Sequence, residues 1–237
     1  MGVTYNSTMD YYSTKMITSG LVLHLDAANP ASYPGSGSIW YDLTGNNRNA
    51  LKLGTSSPNY PCFNSRGYFN FIGGIISQNY SSFSSSGIPA MDQLTAMVWF
   101  NITVSGGPRT LIRMDNSDFE LSVNDITVYY AAGTNYNDIN NHKNIASAVN
   151  GNWHHTVVTY SGSSLSGYFD GNYQISAVRA ASALASTQAG NLRIGTRNDL
   201  YAHHFQGNIA QVLVYNRCLS ADEVKYMYDL FYRRYLY

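Results

Sequence analysis

The chain has 237 residues, 44% of them hydrophobic, enough for one large β domain or two small ones with a real core. Fourteen basic and fourteen acidic side chains cancel, and charged residues make up 12%, against a norm of about 25%. No field of one sign exists to hold nucleic acid or an anionic membrane, and a neutral surface does little to oppose self-association.

Residues 1–19 are polar, rich in Tyr, Ser and Thr, and without a period; they read as an arm that a partner would order. They contain no continuous apolar stretch, so neither a Sec signal nor a spanning helix is expected, and leaving a cell would take another route such as lysis. From Leu21 the pattern turns to strands. GLVLHLDA alternates Leu21, Leu23 and Leu25 against Val22 and His24. A long loop of turn formers follows, then the short strands LKLG and YFNFIG. ISQNYSSFSSSGIPAMDQ reads as a polar excursion before the strand LTAMVWFNITV. TLIRMD, DFELSVN and ITVYYAA predict an antiparallel meander, and HHTVVTYSG with LSGYFDGNYQI a hairpin. NLRIGTRND and GNIAQVLVYNR close the β region.

The last element is a helix. Ser220 and Glu223 form a capping box at its start, and Val224, Met227, Leu230 and Phe231 repeat on one face. Arg233 and Arg234 are expected in its last turn, against the negative end of the helix dipole. Many short strands and one helix predict an all-β fold, a two-sheet antiparallel sandwich with a C-terminal helix from about residue 220. The expected division is a polar arm over residues 1–19 and one sandwich domain over residues 20–237.

Candidate chemistry is sparse. In Trp153-His154-His155 strand alternation sends the adjacent histidines to opposite faces, so they cannot share a metal and are expected to serve sheet packing. His203 and His204 sit in a loop that could converge with Asp199 or His142, but no ligand spacing requires it. The chain has two glutamates, Glu120 and Glu223, and Asp118 with Glu120 is the one same-face carboxylate pair. That pair is expected near a sheet edge as a solubilising feature, and on this census the chain is expected not to be an enzyme. No G-x-S-x-G or P-loop occurs. Ca²⁺ is the candidate cofactor, with Asp115, Asp118 and Asp199 as loop oxygen ligands, against ordinary Asp/Asn turn chemistry. Cys62 and Cys218 read as two buried thiols, or as one long-range disulfide.

Tyrosine is the unusual load, at 21 residues. In loops and at strand ends it suits glycans and protein surfaces alike. Tyr129, Tyr136, Tyr201 and His203 are the candidate binding residues. Tyr5, Tyr11, Tyr12 and Met16 are the arm's candidate anchors for assembly.

Four stretches resemble one family. Trp40, Asp42, Leu43, Gly45 and Asn46 match its W-x-D-L-S/T-G-N opening, and Trp99 its aromatic-flanked strand. Trp153, His155, Tyr160, Phe169, Asp170 and Gly171 match its W-h-x-h-x-x-T-Y-x-G... h-Y-h-N/D-G hairpin. Phe205, Gly207, Ile209, Tyr215, Asn216, Arg217, Leu219, Ser220 and Glu223 match its ending. The chain thus resembles the laminin G-like branch of the concanavalin A-like lectin/glucanase superfamily over roughly residues 20–228. The resemblance implies a jelly roll, with Ca²⁺ or sugars at the loop rim. The E-x-D-x-x-E string of the enzyme branch is absent. With its arm and charge-poor body the chain is also similar to virion proteins of tailed bacteriophages. That implies a structural virion component made in the host cytoplasm, a homo-oligomer or partner of other virion proteins. The alternative is a free-standing module for cell-surface glycans. Neither nucleic-acid binding nor membrane insertion is expected.

Overall fold

The computed structural model describes residues 15–53, 61–72, 82–102, 104, 108–114, 119–124, 127–131, 142–144, 151–178, 190–197 and 204–236. Its strands, numbered in chain order, form two sheets in which every described pairing is antiparallel. Sheet I runs β14 (Asn172–Val178), β13 (Ser164–Phe169), β12 (Trp153–Tyr160), β7 (Leu94–Asn101), β16 (Gly207–Tyr215), β5 (Tyr68–Phe71) and β4 (Cys62–Asn64). The first strand, β1 (Leu21–Asp26), pairs with the later half of β16, beyond β5. Sheet II runs β11 (His142–Asn144), β10 (Thr127–Ala131), β9 (Glu120–Asn124), β8 (Pro108–Met114), β15 (Gly190–Ile194), β6 (Ser82–Ile88), β3 (Ala50–Leu53) and β2 (Ile39–Trp40).

Alternation builds the core. Leu23, Leu25, Phe100, Val158 and Val214 of sheet I meet Phe83, Ile112, Leu121 and Ile194 of sheet II, with Trp40 between Phe69 and Phe83. The opposite face of sheet I is apolar too. Met97, Trp99, Val157, Leu213 and Tyr215 are covered there by Val224, Met227 and Phe231 of the helix α1 (Ala221–Tyr232). The expected capping box is present: Ser220 Oγ accepts from Glu223 N, and Glu223 Oε2 from Ser220 N. Arg217 then clamps the Glu223 carboxylate with two bonds of 2.9 and 2.7 Å.

The W-x-D-L-T-G-N opening is organised by Asp42. Its carboxylate accepts from the backbone N–H of His24, Thr44 and Arg48 and from Thr44 Oγ1, tying the loop to β1.

Several expectations need correcting. The serine-rich stretch before Leu94 contains β6, a strand inside sheet II; Ser82 and Ser85 are buried, and Ser85 Oγ donates to Arg48 O. Glu120 lies inside the sheet rather than at an edge. It is buried and receives Arg113 Nη1 at 2.8 Å, Thr110 Oγ1 at 2.7 Å and Ser122 Oγ, so ion pairing rather than solvation keeps a carboxylate there. The cysteines form no disulfide, and neither is buried: Cys62 is exposed and Cys218 half-buried. Arg233 and Arg234 fall past the helix, in a 3-10 turn over Arg233–Tyr235, and Arg234 serves a carboxylate in β1 instead of the helix end.

Candidate functional site

The hairpin β13–β14 turns at Asp170 and Gly171, both with positive φ (48° and 73°), the backbone that an Asp-Gly pair favours in a two-residue turn. This places the Asp170 carboxylate beside the start of β12. Oδ2 lies 2.8 Å from His154 Nδ1, and Oδ1 accepts from the His155 backbone N–H at 2.9 Å. The histidines do point apart, as alternation requires. His154 stacks on Phe169 at 4.8 Å, at the end of the inter-sheet core. His155 lies under α1, 4.9 Å from the Trp99 ring, and burial lowers its pKa from 6.5 to about 3, with Asp170 opposing. His155 is therefore a neutral ring at ordinary pH.

Next to this hairpin end opens a cleft of about 580 Å³ between α1 and the ends of β5, β7, β12 and β16. One wall carries Asn101 and Asn208, two members of an asparagine ladder that runs on across a third strand to Asn70. Asn70 Nδ2 donates to Asn208 Oδ1 at 2.9 Å, Asn208 Nδ2 to Asn101 Oδ1 at 3.1 Å, and Asn101 Nδ2 to Gly151 O. Trp153 is the lateral neighbour of Asn101 and meets Tyr68 edge-on at 5.4 Å. His154 and Asp170 close one end, and Tyr228, Tyr232, Arg234 and Tyr235 form the helix side. Lateral register across β5, β16 and β7 makes the ladder, and the backbone beside it is closely packed. A Cβ on Gly207, whose φ is 152°, would sit 2.4 Å from Asn101 O.

Arg234 is fastened below the cleft. Its two Nη atoms each lie 2.8 Å from an Asp26 oxygen, in a bidentate pair nearly sealed from solvent. Burial alone would raise the Asp26 pKa, but the Arg234 charge and its hydrogen bonds hold the carboxyl below its ordinary value. His24, alongside, is lowered mainly by burial.

The residues expected from sequence fare unevenly. Asp115, Asp118, Asp199, Tyr136, Tyr201 and His203 lie outside the described residues, as do Tyr5, Tyr11 and Tyr12. Tyr129 is placed by its backbone on β10, opposite Ser122 and His142, with its side chain outside the described set. Met16 packs on the chain's own cluster beneath α1. His204 is buried against Thr196 Oγ1 at 2.8 Å. Among the described residues no group of three or more His, Cys, Asp or Glu could hold a metal, and no helix is long and apolar enough to cross a membrane. The cleft residues Tyr68, Asn101, Asn208 and Tyr235 were not expected. No local pattern marks them, since their proximity comes from register and from the path of the C-terminal turn.

Residues 76–225 match a laminin G model of the concanavalin A-like lectin/glucanases superfamily, more than half of the chain, and the chain belongs to that superfamily. It has the lectin-like fold of that group. No curated protein matches it. Trypanosoma rangeli sialidase in complex with sialic acid is similar over 97% of this chain and 38% of its own, with a TM-score of 0.64 and 16% identity. The receptor binding domain of botulinum neurotoxin type G is similar over 90% of this chain and 51% of its own, with a TM-score of 0.61 and 15% identity. The binding domain of botulinum neurotoxin DC, in complex with SialylT, matches over 89% and 51%, with a TM-score of 0.59 and 9% identity. At these identities the likeness is one of fold, and this chain spans between 38% and 51% of the length of those chains.

The sialidase likeness overturns the expectation that the chain is not an enzyme. That expectation counted carboxylates in one sandwich, yet a sandwich of this shape is built into 38% of an enzyme's chain. A census within one sandwich says nothing about chemistry carried elsewhere on a polypeptide.

Proposed function

We propose that the chain is a carbohydrate-recognition module and that the cleft beside α1 takes sugar rings. The observation that carries this reading is the juxtaposition of Trp153 and Tyr68 with the asparagine ladder in one open cleft. Sugars present apolar C–H faces, which stack on aromatic rings, and hydroxyls, which pair with planar amides and carboxylates. The cleft supplies both within one wall. His154, held by Asp170 through Nδ1, adds a ring whose orientation is fixed.

The test is a glycan array followed by calorimetry on the saccharides it selects. Trp153→Ala is expected to abolish binding with the sandwich intact by circular dichroism. An empty array, or undiminished affinity in Trp153→Ala, overturns the reading. Placement of the module in a bacteriophage virion, through residues 1–19, is a further part of this proposal. It rests on the sequence resemblance, and its test is whether deletion of those residues prevents incorporation into particles.

A further inference from the structure

Beneath the C-terminal turn a second polar surface is buried. His155, Trp99, Gln211 and Asp26 are successive lateral partners across β12, β7, β16 and β1. Each is at most 3% exposed. Three of them carry a buried polar atom with no hydrogen-bond partner: His155 Nδ1, Trp99 Nε1 and Gln211 Oε1. Buried polar atoms are nearly always satisfied, by protein or by water, so three orphans in one lateral row call for an explanation.

The cover of this row supplies one. The Tyr235 ring lies on Trp99 at 4.3 Å with 23° between planes, and Arg234 grips Asp26. Both covering residues also line the open cleft. Tyr228 of α1 covers the His155 end of the row and also stacks on Trp99 at 5.6 Å, while on the Trp99 side the row is parted from the cleft by the turn of three residues that carries Tyr235. A flat ring stacked on a buried tryptophan, with an amide and an imidazole alongside, is the arrangement that a bound sugar ring adopts on an aromatic platform.

We infer that Trp99, His155 and Gln211 form a second saccharide subsite, occupied in this structure by the chain's own Tyr235. The inference rests on the saccharide reading of the cleft. The open cleft takes one end of an oligosaccharide, and rotation of the Tyr235 ring off Trp99, with Arg234 still paired to Asp26, lets further rings reach Trp99. The orphaned atoms then meet sugar hydroxyls, which both donate and accept. The turn acts as a competitor covalently attached to the site, and removing its ring strengthens binding of long ligands.

The experiment compares the full chain with Tyr235→Ala, using maltohexaose, cellohexaose, laminarihexaose and chitohexaose and the matching disaccharides as probes in calorimetry. For a hexaose that binds, Tyr235→Ala is expected to tighten affinity roughly threefold to tenfold, the worth of one aromatic stack at a factor of ten per 1.4 kcal/mol. Tyr235 also lines the cleft and meets Trp153 at 5.1 Å, so the reading is the ratio of hexaose to disaccharide affinity, which rises with Tyr235→Ala and falls back when Trp99→Phe is added. Acrylamide quenching of tryptophan fluorescence in a Trp153→Phe background is expected to rise with Tyr235→Ala. Trp40, the third tryptophan, is sealed in the core and contributes nothing to that rise. If Tyr235→Ala perturbs folding, Tyr235→Leu keeps apolar bulk and removes the stack. Unchanged or weaker hexaose affinity, with Trp153→Ala still abolishing it, overturns the inference and leaves the cleft reading standing. No binding of any hexaose or array glycan by any version overturns both.

Discussion

Asp170 Oδ2 lies 2.8 Å from His154 Nδ1, and the same carboxylate accepts from the His155 backbone N–H. One residue of the β13–β14 turn therefore secures the start of β12, where the cleft begins. Asp170→Asn isolates the charge, because Asn also tolerates the positive φ of this turn. Replacing charge-assisted bonds by neutral ones is expected to cost about 1–2 kcal/mol, read as a lower urea midpoint at unchanged slope.

The Asp26–Arg234 pair is bidentate and buried. Arg234→Met leaves a carboxylate without its main partner in a dry site, an expected loss of about 3–5 kcal/mol. Asp26→Leu combined with Arg234→Met removes both charges and is expected to recover most of that loss. Urea denaturation of the four corners of the cycle measures the coupling.

Stability is expected to fall with acid well before the carboxylates titrate. His155 has a folded pKa of about 3 against 6.5, lowered by burial, so the unfolded chain binds its proton first. The stability held by the neutral ring is complete above pH 6.5 and is lost as pH falls toward 3, at up to about 1.4 kcal/mol per pH unit. His24, also lowered, acts with the same sign, and Asp26 adds to the loss below its ordinary value of 3.8. Melting temperatures from pH 8 to 4 test this, and His155→Asn is expected to flatten the profile.

Gly207→Ala pushes a Cβ to 2.4 Å from Asn101 O, beside the cleft. Backbone must shift to admit it. An overpacking cost of about 1–3 kcal/mol is expected, with saccharide affinity falling further than stability because the Asn208–Asn101 bond lies at the same spot. Calorimetry beside urea denaturation separates the two effects.

Much of the fold is legible from local pattern. Alternation in GLVLHLDA, LTAMVWFN and WHHTVVTY marks β1, β7 and β12, and Ser220 with Glu223 marks the start of α1, whereas LSGYFDGNYQI, expected as one arm of a hairpin, is two strands that turn at Asp170 and Gly171. These signals are carried by residues within a few positions of one another. Where a segment lacks them, as in the serine-rich β6, the strand exists because its neighbours β15 and β3 complete its hydrogen bonds. No period of its own announces it.

The sequence by itself determined an antiparallel sandwich, a capped C-terminal helix, and histidines 154 and 155 on opposite faces. Tertiary structure alone decided what those faces meet: Asp170 and Phe169 for His154, Trp99 and Tyr228 for His155. It also decided that Arg234 reaches Asp26, 208 positions away, instead of capping its own helix. Lateral neighbours in a sheet are set by register between distant segments, and a row such as Asn70, Asn208, Asn101 and Trp153 has no signature along the chain. A cleft built from such rows comes into being when the strands pair and the C-terminal turn lies down across them.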